Sequence, residues 1–396
     1  MSKNNFFQNV YLVQDLFNIG RGRVINQNEI REKAGVYPVF SSQSFNNGEM
    51  GRISTYDFEG EYVTWTTDGA YAGTVFYRDG KFNCTNVCGT LKPKEGIRVN
   101  LKYAAYYLGS VAKKHVSYVG NPKLMNNTVG EIEFPLPKLE EQNKISEIIM
   151  SVDRVIQLTN EEIKKLKNLK KGIVQDLLTK GIGHTKFKQS LIGKVPQSWD
   201  VLTFDEITDF IRCGVASTPE YVDKDGVPFL SAQNVQGDKV KLEKFSLITK
   251  ELHKKLIKNA KPQRNDILYS RVGAGFGQAA LVEFDWEFSV YVSLSLIRMK
   301  NTHNPKFFVH QLNSTRVKTL AANTVFQGGG VPNLNVEVTK NFLMVVPPIN
   351  EQNKICNIID RVSKSIDAKL EKLDSLNRIK SGLMNDLLSG KVRIKL

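Results

Sequence analysis

Hydrophobic residues recur every seven positions along two long stretches of the chain. Each stretch carries two such series, offset by four positions, and most of their members are Ile, Val or Leu. A seven-residue repeat over about five heptads predicts two helices that pair as a coiled coil. Proline just before each stretch fits a helix entrance. The series are 145, 152, 159, 166, 173 with 149, 156, 163, 170, 177, and the positions 210 residues later.

Lysine interrupts both stretches at one equivalent place, Lys170 and Lys380. The favoured interpretation is a lysine whose alkyl stem covers the apolar seam while its ammonium group reaches solvent. A device that fixes the register of the helices, or a contact with a partner, is the alternative.

The chain repeats itself. The sequence EQNKI stands at 141–145 and again at 351–355, and 17 of the 42 positions from 137 to 178 are identical at this offset of 210. Further upstream the offset falls to 204 and then to 190, where Gln43 meets Gln233, and it is 191 nearer the start because of a one-residue deletion. The second copy therefore carries insertions of 14 and 6 residues. Two units of roughly 200 residues indicate an intramolecular pseudo-dimer with approximate two-fold symmetry.

Each copy begins with short β-type runs, helical stretches and turn signals, and ends in its long helix. We therefore predict an α+β fold with two homologous globular heads, separated by two long antiparallel coiled-coil helices related by a pseudo-two-fold axis. The predicted domains are 1–134 for the first head, 135–183 for the first helix, 184–345 for the second head and 346–396 for the second helix.

Composition adds a preference about partners. The 396 residues include 55 Lys and Arg against 40 Asp and Glu, a formal charge of +15, which favours a polyanionic partner such as nucleic acid. Four cysteines are too few for a disulfide scaffold, so we expect a reducing cytoplasm. The sequence has no long uncharged apolar stretch and no signal-peptide pattern, so we expect neither a membrane span nor secretion.

These residues resemble a known family, the specificity subunits of type I restriction–modification systems. The resemblance covers the whole chain in the order head, helix, head, helix. Its marks are the proline-rich entry with its Glu-Gln pair at 135–142 and 346–352, and the Gly-x-x-x-Asp-Leu-Leu tail at 172–178 and 382–388. Arg264–Leu268 with Gly273-Ala274, and Gly35–Val39, are similar as well.

The resemblance implies that each head is a target-recognition domain for one half of a split DNA site. It also implies that the helices dock two adenine-DNA methyltransferase (modification) subunits, which restriction subunits can join. By the same resemblance this chain is non-catalytic and carries no cofactor, since S-adenosylmethionine belongs to the methyltransferase.

The predicted geometry agrees with double-stranded DNA as partner. A helix of about 40 residues is roughly 60 Å long, which spans about 17 base pairs at about 3.4 Å each. Because the heads are homologous and not identical, we expect a bipartite, asymmetric site.

Candidate DNA-contacting residues are loop amides, hydroxyls, aromatics and cations, which can bind base edges or phosphates. The alternative for each is a structural role, because Asn and Gln also cap turns and Tyr also packs. The first-head candidates are Arg21, Arg23, Ser42, Gln43, Tyr71, Lys113, Lys114, Tyr118 and Asn121. The second-head candidates are Arg212, Gln233, Asn234, Lys254, Lys255, Arg264, Arg271, Tyr291 and Gln327.

The stretch 241–264, where the longer insertion falls, contains eight Lys or Arg against Glu243 and Glu251. A surface that follows phosphates is the functional interpretation, and a solvated helix face is the structural one.

Two other classes of function remain as alternatives. A stand-alone DNA-modifying or DNA-cleaving enzyme needs its own site, and the sequence contains no GxxxxGK(S/T) loop, no Asn/Asp-Pro-Pro-aromatic motif and no zinc-ligand pattern around Cys84-x-x-x-Cys88. A coiled-coil adaptor that does not bind DNA is the second alternative, for which the basic charge is incidental.

Overall fold

The computed structural model describes residues 9–43, 45–215, 219–258, 260–273, 275–324 and 333–395. These form two compact units, Met1–Glu162 with Lys369–Leu396, and Ile163–Ala368. Each unit therefore contains one head, the first part of the helix that follows it, and the last part of the other long helix. No helix in the described part of the chain combines the length and apolarity needed to cross a bilayer.

The first head is a mixture of short strands and short helices, as expected from its alternating apolar runs and turns. Two 3-10 turns, Phe45–Gly48 and Ala112–His115, lie among them. The strands are β1 Val10–Leu12, β2 Phe17–Arg21, β3 Ala34–Phe40, β4 Glu49–Ile53, β5 Phe58–Glu59, β6 Tyr62–Thr66, β7 Val75–Arg78, β8 Lys81–Cys84, β9 Cys88–Pro93 and β10 Glu133–Pro135. The helices are α1 Val13–Leu16, α2 Gln27–Glu32, α3 Leu101–Val111 and α4 Asn126–Gly130, and the long helix α5 Leu139–Lys180 follows.

Two four-stranded sheets organise the first head, in the orders β2-β9-β6-β7 and β4-β3-β8-β5. All neighbours in the first sheet are antiparallel, while β3 and β8 of the second run parallel. The main core packs between the first sheet and α3, around Trp65 and Tyr103. Strand β1 pairs with β10 just before the long helix, which places the entrance of α5 against this core.

The second head repeats this plan with additional elements. Its strands are β11 Phe187–Ser190, β12 Gly193–Pro196, β13 Asp200–Thr203, β14 Thr208–Cys213, β15 Tyr221–Val222, β16 Val227–Leu230, β17 Val235–Gln236, β18 Lys239–Val240, β19 Ser246–Ile248, β20 Ile267–Ser270, β21 Ala279–Leu281, β22 Ser289–Val290, β23 Leu294–Met299 and β24 Leu343–Val346. The helices are α6 Lys250–Leu256, α7 Pro305–Leu312, α8 Thr315–Thr324, α9 Val336–Lys340 and the long α10 Ile349–Leu388, with a 3-10 turn at Ala232–Asn234.

The sheets of the second head match those of the first. The order β14-β23-β20-β21 corresponds to β2-β9-β6-β7, and β16 again runs parallel to β22 as β3 does to β8. The interval with the longer insertion holds the hairpin β17–β18 and helix α6, whereas the interval 43–69 of the first head holds β4, β5 and β6. The α+β prediction and the duplication are confirmed. The longer insertion corresponds to α6 and the β17–β18 hairpin.

The heptad prediction is confirmed in both long helices. All ten seam positions of α5, and all ten of α10, are buried or partly buried. The residues of α10 and of the segment just after it that pair with α5 have falling residue numbers as α5 advances, so the helices pair antiparallel within the first unit. The pairs are Glu141 with Arg393 at 2.7 Å, Asp153 with Lys380 at 2.6 Å, and Glu162 with Lys369 at 2.6 Å.

The two seam lysines are held by carboxylates. Lys380 pairs with Asp153, and Lys170 pairs with Asp238 of the β17–β18 hairpin at 3.1 Å. Both lysines are only about a quarter exposed. Both ion pairs are partly exposed, since the two aspartates are about one-third exposed, and the interpretation of a lysine stem that covers the seam stays a prediction.

The Gln of the repeated Glu-Gln pair joins head to helix. Gln142 is buried, accepts a hydrogen bond from the backbone N–H of Asn100, and donates one to the carbonyl of Pro137, both at 2.8 Å. Asn100 caps α3 by accepting from the first N–H groups of that helix. The second copy repeats the arrangement with Gln352 and Asn304 at 2.8 Å. This network fixes the angle between head and helix, which explains why both copies contain the motif.

The Glu of the pair holds the segment that follows the other helix. Within the second unit, Glu351 accepts hydrogen bonds from the N–H of Ile182, from the ring of His184 and from the indole of Trp199, at 3.0, 2.8 and 2.9 Å. In the first unit the bidentate Arg393 guanidinium lowers the pKa of Glu141.

The Leu-Leu tails of the long helices are part of the head cores. Leu178 of α5 packs in the core of the second head, and Leu387 and Leu388 of α10 pack in that of the first. At their starts, Ile145 and Ile355 are fully buried in the cores of their own heads. Each unit is therefore closed by the beginning of one helix and the end of the other.

Replacing Gln142 with alanine should destabilise the first unit, because it leaves the Asn100 N–H and the Pro137 carbonyl buried without partners. We expect a loss of roughly 2–3 kcal/mol in the free energy of unfolding, measured by urea denaturation. The matched control is Gln157→Ala on the same helix, whose exposed amide donates to the carboxylate of Glu161. An equal loss in both variants would contradict the role assigned to Gln142.

A buried histidine distinguishes the second unit. His310 of α7 is surrounded by Lys170, Asp238, Lys306 and Asp360, and burial lowers its pKa to about 4. Among the described residues, its Nε2 has no hydrogen-bond partner. Burial therefore disfavours the protonated ring in the folded state.

The stability of this unit should fall in mild acid. An unfolded histidine has a pKa of about 6.5, so the unfolded state binds a proton that the folded state excludes as the pH drops from about 6.5 toward 4. His310→Tyr introduces the residue of the first copy, Tyr106. Urea denaturation at pH 7 and pH 5 should show about 2 kcal/mol less loss of stability in the variant than in the unchanged chain.

Candidate nucleic-acid interface

One edge of the first head is built from loops and turns. Strands β2 and β6 end there, β7 and β9 begin there, and the parallel pair β3 and β8 ends at the same place. Loops on a rigid sheet edge are the usual location of binding residues. We call this surface the first loop edge, and it comprises residues 22–26, 41–43, 45–48, 67–74, 85–87 and 112–123 together with the end of β2.

Arg21 lies at the end of β2 on this edge. Its guanidinium donates to the hydroxyl of Thr67 at 3.0 Å and to the carboxylate of Asp68 at 3.4 Å. These bonds orient a side chain that remains about one-third exposed. An arginine held in this way presents its remaining N–H groups outward for hydrogen bonding.

The turn after β6 brings three more candidates together. Gly73 has φ of +79°, and a Cβ there would lie 3.0 Å from Val116 and 3.4 Å from the backbone of Lys113, so the turn packs closely on the 3-10 turn Ala112–His115. Tyr71 is half exposed, and Lys113 and Lys114 are exposed beside it.

Residues 117–123 form a closed hairpin next to this turn. Ser117 and Lys123 exchange backbone hydrogen bonds at 2.8 and 2.9 Å, and the N–H of Gly69 donates to the carbonyl of Pro122 at 2.9 Å. Tyr118 lies at the tip of the hairpin, where it is exposed together with the candidate Asn121. All nine first-head candidates lie on the first loop edge. Six of them belong to the end of β2, the turn after β6 and the segment 112–123: Arg21, Tyr71, Lys113, Lys114, Tyr118 and Asn121.

The other three first-head candidates have partners inside the head. Arg23 is held by Glu29 and Asp57 at 2.9 Å each, and Arg23, with Lys33, lowers the pKa of Glu29 to about 2. Gln43 donates to the carbonyl of Glu49, and Ser42 is partly buried in the same loop. Arg23 in particular is already neutralised by two carboxylates.

The second head has an equivalent loop edge at the ends of β14, β16, β20 and β22. Arg212 is exposed at the end of β14, and Gln233 is exposed in the 3-10 turn. Tyr291 follows β22 with its ring 5.8 Å from that of Phe229. Gln327 lies outside the described residues.

Two second-head candidates have structural roles in this fold. Asn234 is 1% exposed, and its amide bonds the N–H of Ser231 and the carbonyls of Lys241 and Lys244 at 2.7–3.0 Å. Arg271 is 8% exposed and donates to the carbonyl of Leu334. The loops around these two residues use their hydrogen-bonding groups, which favours the structural alternative, and their assignment as DNA-contacting residues stays a prediction.

Helix α6 lines a cleft beside the end of β14. The cleft has a volume of about 280 Å³, with Arg212–Val215 on one wall and Lys255–Ile257 on the other. Lys254 and Lys255 are exposed on α6. The inserted helix therefore adds cations next to Arg212, where the second loop edge begins.

Two cations of the basic stretch 241–264 have carboxylate partners. Lys261 pairs with Glu287 at 2.5 Å, and Arg264 pairs with Asp285 at 3.0 Å. These carboxylates lie on the loop between β21 and β22, some 20 residues away in sequence. The cations that remain available for phosphates are those of α6 and its neighbours.

The sequence interpretation missed Lys123 and Val119, which belong to the hairpin 117–123. A signal was present, since Gly120 and Pro122 match Gly330 and Pro332 across the repeat. Among the described residues there is no group of three or more His, Cys, Asp or Glu arranged to hold a metal ion.

Two loop edges with exposed cations, amides and aromatics, each on a head closed by paired helices, define a scaffold that recognises DNA sequence. The family model described as Type I restriction modification DNA specificity domain matches residues 8–168 and 196–380, which span both heads and both long helices. The chain belongs to this family and is a DNA sequence-recognition subunit of a type I restriction–modification system.

Known proteins resemble the chain over nearly its full length. A predicted type I specificity subunit of Mycoplasma pneumoniae is 31% identical over 356 residues, 88% of each chain. The MjaVIII specificity subunit of Methanocaldococcus jannaschii is 25% identical over 374 residues, 92% of this chain and 88% of that one. The crystal structure of a type I S subunit from M. genitalium shares the fold, with a TM-score of 0.61 at 16% identity over 100% of this chain and 99% of that one.

Lys254→Ala/Lys255→Ala should weaken binding to duplexes of any sequence and flatten the salt dependence. If both lysines contact phosphates, the slope of log affinity against log salt falls by about 2, measured by fluorescence anisotropy at several salt concentrations. The control is Lys261→Ala/Arg264→Ala, which removes two cations already paired with carboxylates. A control slope that falls as far as that of the α6 variant would refute the assignment.

Proposed function

We propose that this chain reads a bipartite, asymmetric DNA site, one half with each head, and carries no catalytic centre of its own. The observation that carries the proposal is that the two heads share their framework but differ at their loop edges. Arg21 and Arg212 stand at equivalent strand ends, whereas Thr67 of the first head is replaced by Arg271 in the second, and α6 occurs in the second head. A common framework with different edge chemistry supports two different half-sites.

Two copies of one methyltransferase are the proposed partners. Leu169 of α5 and Ile379 of α10 are equivalent across the repeat, and they are 53% and 52% exposed. A repeated apolar position on each long helix supports two equivalent docking sites, one in each unit. A solved structure with the same fold is described as concerning complex assembly of the type I system, at a TM-score of 0.57 and 14% identity over 97% of this chain and 98% of that one. S-adenosylmethionine then belongs to the methyltransferase, and restriction subunits are a further partner.

Mapping methylated bases across the genome of cells that carry this chain and its methyltransferase tests the proposal. The expected result is one motif with two different half-sites separated by a gap of fixed length. A continuous palindrome would contradict it. Methylation of DNA by the purified chain alone, with added S-adenosylmethionine, would contradict the non-catalytic assignment.

A sharper arm of the same experiment lengthens both long helices by one heptad inside the seam. One heptad is about 10 Å of helix, which corresponds to about 3 base pairs. If the helices set the gap, both half-sites stay unchanged while the gap grows or methylation stops. A change in the half-site bases would exclude the helices as the spacer.

A further inference from the structure

Two apolar side chains project from the first loop edge at the tip of the hairpin 117–123. Tyr118 is 71% exposed and its neighbour Val119 is 92% exposed. Neither belongs to the cores of the first head. Adjacent apolar side chains that are exposed on a loop do not stabilise the fold. Their exposure points to a contact with a binding partner.

The hairpin is a stiff support for this tip. Its base is closed by the two hydrogen bonds between Ser117 and Lys123, and it is tied to the turn after β6 through Gly69. Gly120 takes φ of +75°, the left-handed conformation that turns the chain directly after Val119. Such a loop holds the two side chains away from the head.

The surroundings of the tip are basic. Lys113, Lys114 and Lys123 are exposed around it, and Arg21 is anchored on Asp68, whose backbone forms an antiparallel bridge with that of Lys123. An apolar tip within a ring of cations matches duplex DNA, whose phosphates flank an apolar stack of bases.

We propose that Tyr118 and Val119 form a wedge that enters the base stack within the half-site read by the first head and partly unstacks one base step. The surrounding lysines bind the phosphates on either side of that step. This inference rests on the proposed function of the chain, and it adds a deformation of the DNA to the contacts with its edges.

The wedge gives specificity at a step whose base edges are not necessarily contacted. Pyrimidine–purine steps unstack most easily, so a wedge selects for TA, CA or TG at its position. The first half-site should therefore contain such a step, and replacing it with a purine–pyrimidine step should weaken binding of the unchanged chain more than that of a chain without the wedge.

The experiment uses the full chain with its methyltransferase and duplexes carrying the site obtained from methylation mapping. Adenines of the first half-site are replaced one at a time by 2-aminopurine, whose fluorescence rises when its base unstacks. The target adenine is left unlabelled, because methyltransferases turn that base out of the helix. One step should brighten with the unchanged chain and remain quenched with Tyr118→Ala/Val119→Ser.

The same double variant should bind the site roughly 5- to 100-fold more weakly, the effect of losing one base–aromatic stack. The matched control is Leu191→Ala, which removes another apolar side chain, 88% exposed, from the turn between β11 and β12. The control should keep both the fluorescence change and the affinity. Equal melting temperatures of all three proteins exclude unfolding as the cause.

Three results would overturn the wedge. The first is no fluorescence change at any labelled position with the unchanged chain, and the second is an unaltered signal in the double variant. The third is a double variant that fails to assemble with the methyltransferase while binding DNA normally, since the tip is then a protein contact. None of these results affects the proposal of a bipartite site. That proposal is tested separately, because a continuous motif in the methylation map would contradict it.

Discussion

The burial of both ends of each long helix is the constraint on which the rest of the protein depends. A heptad seam alone permits parallel and antiparallel pairs equally. Here Ile145 begins its helix in the core of the first head, and Leu387 and Leu388 end the other helix in that same core. Only an antiparallel pair can supply both, so the orientation of the helices is determined by the apolar surface that the heads must cover. The pairs of charged residues along the seam then adjust the register.

Sequence reasoning recovered what is periodic or repeated. The heptads predicted the seam, because burial of one helix face imposes the same spacing throughout, and the offset of 210 predicted two equivalent units. It could not assign partners that are distant in sequence and follow no period. Arg393 lies beyond the second helix and holds Glu141, and Asp238 reaches Lys170 from a hairpin. Such contacts depend on the folded arrangement and leave no mark on local spacing.

The candidate site could be predicted only in part, and the reason is different. Arg, Asn and Gln perform the same chemistry whether they bind a base or tie a loop to its neighbour. Arg21 ends β2 and Arg271 follows β20, yet the first remains on the surface while the guanidinium of the second bonds the segment before α9. Burial decides between these roles, and it depends on how closely the flanking loops pack. The hairpin 117–123 carried a glycine and a proline that repeat, whereas the exposure of its tip follows only from the fold.

The discontinuity of the first unit has a consequence for the order in which the protein is made. The second unit is one continuous segment, Ile163–Ala368, while the first needs both Met1–Glu162 and Lys369–Leu396. Synthesis from the N-terminus delivers all of the second unit before the helix end that completes the core of the first. The first head is thus synthesised first but completes its core last. Part of its apolar surface stays uncovered while the second unit folds. A chain that stops shortly after residue 368 retains a whole second unit beside an unfinished first one.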